Sequence, residues 1–199
     1  MDIKQSYHTR KKEIIARLQE FKTIKGDDLF YELCFCILTP QTSGFRADEC
    51  IHELKRKNFL YSNYDPKTFL KKKIRFHNNK TKYLLEAKNN YVKIKHALQE
   101  FKTPEEKRQW LLKNVKGIAL KECSHYLRNI GYENLAILDR HILKNLKKYN
   151  VIKEIPKTLT KNKYLAIEEK FKKFSNEINI PMDHLDLLFW AEETGKVFK

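Results

Sequence analysis

The sequence predicts an all-α fold, on three observations. Apolar residues recur at intervals of three and four through much of the chain. Helix starts are marked by capping side chains set just ahead of a proline. No run of alternating apolar and polar residues argues for a strand. The five glycines, Gly26, Gly44, Gly117, Gly131 and Gly195, fall between the helical patterns, where each predicts a turn.

Taken in order, Ile14, Ile15, Leu18 and Phe21 share one face of an N-terminal helix. Asp65-Pro66 predicts the next clear start, with the aspartate as cap and the proline pre-setting the first turn. From Lys82 to Gln99 a single helical face runs through Leu84, Ala87, Tyr91, Ile94 and Leu98, with lysines opposite. Thr103-Pro104-Glu105-Glu106 has the spacing of a capping box. The helix it opens closes at Trp110-Leu111-Leu112, Lys116-Gly117 turns the chain, and another helix begins near Lys121. Asp139 reads as the N-cap of a helix through Leu143. Tyr164, Ile167, Phe171, Phe174 and Ile178 mark one further helix, and Leu185, Leu188, Phe189 and Trp190 the last. No Gly/Ser linker, low-complexity segment or internal repeat interrupts the chain.

A chain of 199 residues suits one compact domain or two small lobes, and 41% hydrophobic with 12% aromatic residues can fill a core. The 41 basic residues outnumber the 25 acidic ones, for a net charge of +16. Such a charge points to a polyanionic partner, most commonly nucleic acid. A lysine-rich surface arising from biased coding or heat adaptation explains the same excess. Cys34, Cys36, Cys50 and Cys123 form no C-x-x-C pair, so neither a metal nor a cofactor is expected, and reduced thiols in an intracellular protein are. The polar, basic start MDIKQSYHTRKKEII and the lack of any long apolar run predict a protein without signal peptide or membrane span. A monomer is the default.

The densest information lies in VKGIALKECSHYLRNIGYENLAILDRHIL, from Val115 to Leu143. Amides around the turn at Gly117 and at the next helix start suit a phosphate. Lys121 falls in a first helical turn, where the dipole disfavours a cation, with Lys113, Lys116 and Arg128 acting in the same sense. Together with Asp139 it supplies the two groups that cut a base from a sugar through a covalent amine intermediate. An ordinary solvated lysine and an ordinary cap are the competing readings.

This stretch resembles the helix-hairpin-helix DNA glycosylases, and its wording is most similar to the type 2 8-oxoguanine DNA glycosylases, a short and mainly archaeal branch. The resemblance implies a two-lobed helical fold with its active site in the cleft between lobes. Residues 30–120 would form a middle lobe ending in the hairpin, and residues 1–29 with 121–199 the second lobe. It implies Lys121 as nucleophile and Asp139 as its carboxylate partner, eighteen residues on. Gly117 and Ala119 would approach phosphate, although relatives usually carry glycine at the second position. If positive φ is needed there, alanine strains the turn by about 1 kcal/mol. His141 matches a phosphate contact of some relatives, and a half-buried core histidine fits equally well.

The resemblance extends to the lesion. In Leu38-Thr39-Pro40-Gln41-Thr42, Gln41 would fill the stack vacated by a flipped base, or be a polar residue at a helix start. In Ile74-Arg75-Phe76-His77-Asn78-Asn79-Lys80, Phe76 would stack near the pocket or serve the core, and Arg75 or Lys80 would touch phosphate. Trp190 and Lys199 would hold the oxidised guanine; a core tryptophan and a flexible tail are the alternatives. The implied activity on double-stranded DNA is release of 8-oxoguanine followed by β-elimination at the abasic site. Relatives with other targets mostly carry a four-cysteine cluster near the C-terminus, and no cysteine follows Cys123. A same-fold glycosylase for another damaged base and a non-catalytic protein clamping DNA backbone remain as alternatives.

Overall fold

A computed structural model describes residues 2–199, and eleven helices without any strand make up the regular structure of those residues. The chain divides into two compact units, one taking the chain up to Thr23 together with Leu127–Lys199, the other Ile24–Tyr126. Among the described residues no helix is long and apolar enough to cross a membrane.

The Ile24–Tyr126 unit is organised around α2 (Asp28–Leu38), which is buried without a break from Phe30 to Leu38. A helix apolar on every side must be covered on every side. Here α3 (Gly44–Arg56) and α5 (His77–Asn89) pack on it, with α4 (Lys67–Lys73) against α5. Phe30, Phe59 and Tyr91 form an aromatic knot with ring centroids 5.0–6.0 Å apart. All four cysteines are buried and unpaired by disulfides. Burial pushes the Cys50 thiol up to about 11 and the Cys123 thiol to about 12.

Two local expectations change. The helical face from Lys82 to Gln99 is broken at Asn90 into α5 and α6 (Tyr91–Glu100); Asn90 has φ −102° and ψ 7°, ending one helix and opening the next. The apolar spacing continues across the break, so the pattern could not reveal it. Gly44 is not a turn residue but the first residue of α3, capped by Ser43, whose hydroxyl accepts from the Arg46 N–H. Of the predicted starts, α7 (Pro104–Asn114) opens on a complete Thr103/Glu106 capping box, while α4 begins one residue later than expected, with Pro66 at the N-cap and the Asp65 carboxylate accepting from the Lys67 N–H at 2.9 Å.

The other unit joins α1 (Ile3–Thr23) to α9 (Arg140–Lys148), α10 (Lys161–Ile178) and α11 (Met182–Thr194), with α11 packed on the other three. Phe171, Phe189 and Tyr149 stack through its core, centroids 5.6–6.2 Å apart. Arg128 is 3% exposed there, 3.2 Å from Asp186, with its guanidinium 4.9 Å from the Phe21 ring centre. Tyr7 and His184 join α1 to α11 through a 2.8 Å hydrogen bond.

Candidate active site and nucleic-acid interface

Between α7 and α8 (Leu120–Asn129) the chain turns over five residues, anchored by buried Val115 and Ile118. Gly117 has φ +84°, and a Cβ there would lie 2.3 Å from Cδ2 of the Tyr83 ring. Glycine is therefore needed both for its dihedral and for the close approach of α5. Ala119 does not have positive φ, so the strain expected at that position is absent. Its carbonyl accepts from the Cys123 N–H, and its own N–H donates to Glu122 Oε2 at 3.1 Å. That amide already has a partner, which corrects the reading of Ala119 as an open phosphate donor.

Glu122, with its side chain 9% exposed, uses its other oxygen to meet Lys121 Nζ at 3.0 Å. One carboxylate thus ties the candidate nucleophile to the hairpin turn. The crowd of free cations expected around Lys121 is not what folding produces. Lys116 pairs with Glu86 at 2.8 Å, and Arg128 is buried against Asp186.

Asp139 is delivered differently. The residues before it, Leu135–Leu138, are all buried. Ala136 is clamped from α10, its N–H donating to Glu168 Oε1 at 2.8 Å and its carbonyl accepting from the Tyr164 hydroxyl at 2.5 Å. Upstream, Asn134 adopts φ +66° and donates its N–H to Asp183, whose carboxyl burial pushes above its ordinary range. Asp139 then caps α9, Oδ1 accepting from the N–H groups of His141 and Ile142, each at 2.8 Å. Both bonds fall on one oxygen, and among the described residues Oδ2 has no partner. His141 Nδ1 lies 3.6 Å from Glu193, which also accepts from Lys144. Lys144 holds the Glu193 carboxyl below its ordinary range.

Trp190 is half-buried on α11 and stacks on Phe198, centroids 5.8 Å apart. Val197, 6% exposed, anchors the segment, so residues up to Lys199 fold back rather than trail as a tail.

Gln41 is exposed at φ +53° in a turn between α2 and α3, not at a helix start. Phe76 is 52% exposed at φ +57°, which removes it from the core, and Arg75 lies over its ring. Both border a cleft of about 240 Å³ whose walls include Pro40, Lys80, Tyr83 and Gly117. Lys80 is 4% exposed and donates to the carbonyls of Leu38 and Pro40 and to the Thr42 hydroxyl, at 2.7–2.8 Å. An ammonium so enclosed is a strut for the chain, which corrects its reading as a phosphate contact. No cluster of three or more potential metal ligands exists among the described residues.

The sequence profile of 8-oxoguanine DNA glycosylases matches residues 14–180. The chain belongs to that family. The 8-oxoguanine DNA glycosylase/AP lyase of Fusobacterium nucleatum is 44% identical across the whole chain, covering 96% of that protein. Its counterpart from Methanocaldococcus jannaschii is 41% identical over 94% of this chain and 93% of its own. The crystal structure of the Methanocaldococcus jannaschii 8-oxoguanine DNA glycosylase superposes with a TM-score of 0.88, at 36% identity, over 99% of this chain and 95% of that one. A second structure of that enzyme, in complex with a 15mer DNA containing 8-oxoguanine, also gives 0.88 at 35% identity over 98% of each chain. For a member of this family, the structural roles of four residues went unread in the sequence. Glu122 had a signal, since it lies three residues after Ala119, the spacing at which a glutamate reaches back to the N–H at a helix start. Tyr83, Tyr164 and Glu168 had none, because each acts on residues far from it in the chain.

Proposed function

We propose that this protein removes 8-oxoguanine from double-stranded DNA and cleaves the strand at the abasic site it creates, with Lys121 as nucleophile and Asp139 as the partner carboxylate. The observation that carries this is the state of Asp139. Its capping role occupies Oδ1 alone and leaves Oδ2 to act on a substrate. A purely structural cap needs nothing more than the first oxygen.

The chemistry runs as follows. The neutral amine of Lys121 attacks C1′, the bond from C1′ to the base nitrogen breaks, and the base leaves with a proton. Asp139, ionised, stabilises the positive charge growing on the sugar. The nitrogen lone pair then expels O4′, which takes up a proton, and the sugar opens to a protonated Schiff base. Removal of a C2′ proton then expels the 3′ phosphate, which is the lyase step. Glu122, 3.0 Å from Nζ, holds the side chain on the hairpin and is the carboxylate nearest the proton that Lys121 must lose first. Trp190 offers a stacking face to the extruded base, worth about 1–3 kcal/mol. Gln41 fills the vacated stack, His141 and Gly117 lie toward the backbone, and Lys199 contacts the base.

Borohydride trapping on a duplex with one 8-oxoguanine opposite cytosine tests the reading. Wild type is expected to give a covalent adduct and Lys121→Gln none, with excision reduced at least about a thousandfold. Base release by Lys121→Gln at near wild-type rate would remove Lys121 from the mechanism. Salt-sensitive binding by wild type without adduct or base release would favour a backbone clamp instead.

A further inference from the structure

Gln41 and Phe76 are the two residues of the cleft that combine a side-chain-bearing Cα, positive φ and an outward position. Left-handed backbone at such residues persists only where the surroundings enforce it. Neither residue has a side-chain cap or a glycine neighbour to explain it. Lys80 touches the backbone beside both. Its N–H donates to the Phe76 carbonyl at 3.0 Å, forming the first turn of α5. Its ammonium meets the carbonyls of Leu38 and Pro40 and the Thr42 hydroxyl, so it encloses the Gln41 turn from below. Three N–H donors face three acceptors, and no donor is left over. The carbonyl of Leu38 is also an end carbonyl of α2, where a cation is favoured.

We propose that Lys80 is a positioning residue that locks the Gln41 turn and Phe76 into one rigid wedge for opening the duplex at the lesion. The proposal rests on the glycosylase reading above. It assigns the buried lysine to base extrusion rather than to chemistry or phosphate binding. A buried ammonium is otherwise costly, and here each of its three N–H groups meets an oxygen, which offsets that cost.

The lock is sensitive to pH. Burial draws Lys80 down to about 8, while the Cys50 thiol on α3 and the Glu122 carboxylate on α8 act in the opposite sense. A neutral amine keeps two N–H groups for the carbonyls of Leu38 and Pro40 and accepts from the Thr42 hydroxyl, so deprotonation replaces three charge-assisted bonds by weaker neutral ones. The turn should therefore loosen as pH rises through about 8. Global stability responds with the opposite sign. Between about 8 and 10.5 the unfolded chain holds the proton more tightly than the folded one, so this group makes folding more favourable as pH rises.

Two readouts decide it. The first is amide exchange at Thr42, whose N–H donates to the Thr39 carbonyl at 2.9 Å. Its protection factor is expected to fall by about tenfold in Lys80→Met and to a smaller extent in Thr42→Val, while amides within α5 keep theirs. Wild type should show a fall in the same direction but smaller between pH 7 and pH 9, after correction for intrinsic exchange. The second is a double-mutant cycle on 8-oxoguanine excision. Lys80→Met should lower the rate by about 100-fold alone but by less than about threefold in a Gln41→Ala background. Unchanged Thr42 protection, or losses that multiply independently in the cycle, would overturn the proposal. If wild type releases no 8-oxoguanine, the glycosylase reading falls, and Thr42 protection still decides whether Lys80 holds the turn.

Discussion

The hairpin that carries Lys121 and the segment that carries Asp139 reach comparable precision by opposite means. The hairpin is made almost wholly from its own residues. A glycine supplies the turn, and Glu122 binds both the Ala119 N–H at the start of α8 and the lysine within four positions. The Asp139 segment has no such local logic. Leu135–Leu138 lie buried without helix or strand, and their backbone groups are met by Glu168 and Tyr164, more than twenty-five residues further along. A buried irregular segment must find partners for its amides, and these come from a neighbouring helix. The proposed nucleophile is thus placed by short-range rules, while the proposed partner carboxylate depends on tertiary packing.

Substitutions can separate the two modes. The largest effect is expected from Asp139→Asn, which keeps a good cap but removes the charge. Base release should fall by about 100-fold, while the denaturation midpoint stays near that of wild type. A rate within threefold of wild type would reduce Asp139 to a structural cap. Next comes Gly117→Ala, which adds both a strained dihedral and a contact with the Tyr83 ring. It should destabilise the protein by about 2–3 kcal/mol in urea unfolding. A change below about 0.5 kcal/mol, the level of an ordinary surface substitution, would show that the turn tolerates a side chain. Tyr164→Phe leaves the Ala136 carbonyl without its donor and should cost about 1–2 kcal/mol. It should also slow base release several-fold, since it loosens the strand of chain leading to Asp139, and an unaltered rate would argue that α9 alone places the carboxylate.

The smallest effect concerns pH, and here too the units differ. Burial holds the His184 imidazole below its ordinary range, next to the Tyr7 hydroxyl. The folded state therefore resists protonation. Stability from this group is complete above about 6.5 and declines as pH falls below that value toward the folded pKa. Melting temperature should drop between pH 7.5 and 5.5, by about a few degrees, and His184→Gln should flatten that dependence. An unchanged slope in the variant would assign the acid sensitivity elsewhere. Lys80 places its own transition on the alkaline side, so the two units are expected to titrate on opposite sides of neutrality.

What the sequence could reveal follows the same division. The all-helical fold was legible because periodicity and caps are local, as at Thr103-Pro104-Glu105-Glu106 and Asp65-Pro66. The break at Asn90 was not, because apolar spacing runs through it unchanged. Lysines were the hardest residues to read. A chain with so many offers no way to know that Lys80 is buried among carbonyls or that Lys116 is neutralised by Glu86. Ala119 looked anomalous only against a glycine pattern; the fold asks nothing of it that alanine cannot supply. Phe76 shows the reverse case, an aromatic residue that hydropathy assigns inward and the backbone turns outward.

The burial of the four thiols has a meaning beyond packing. Guanine oxidation occurs under the same chemical stress that attacks cysteine, so an enzyme acting on that lesion works where oxidants are abundant. Only the thiolate reacts readily, and a thiol with a pKa near 11 is ionised to about one part in ten thousand at pH 7. With Cys34 and Cys36 inside α2 and Cys123 raised further still, the protein exposes almost no sulfur nucleophile to the damage whose consequences it repairs.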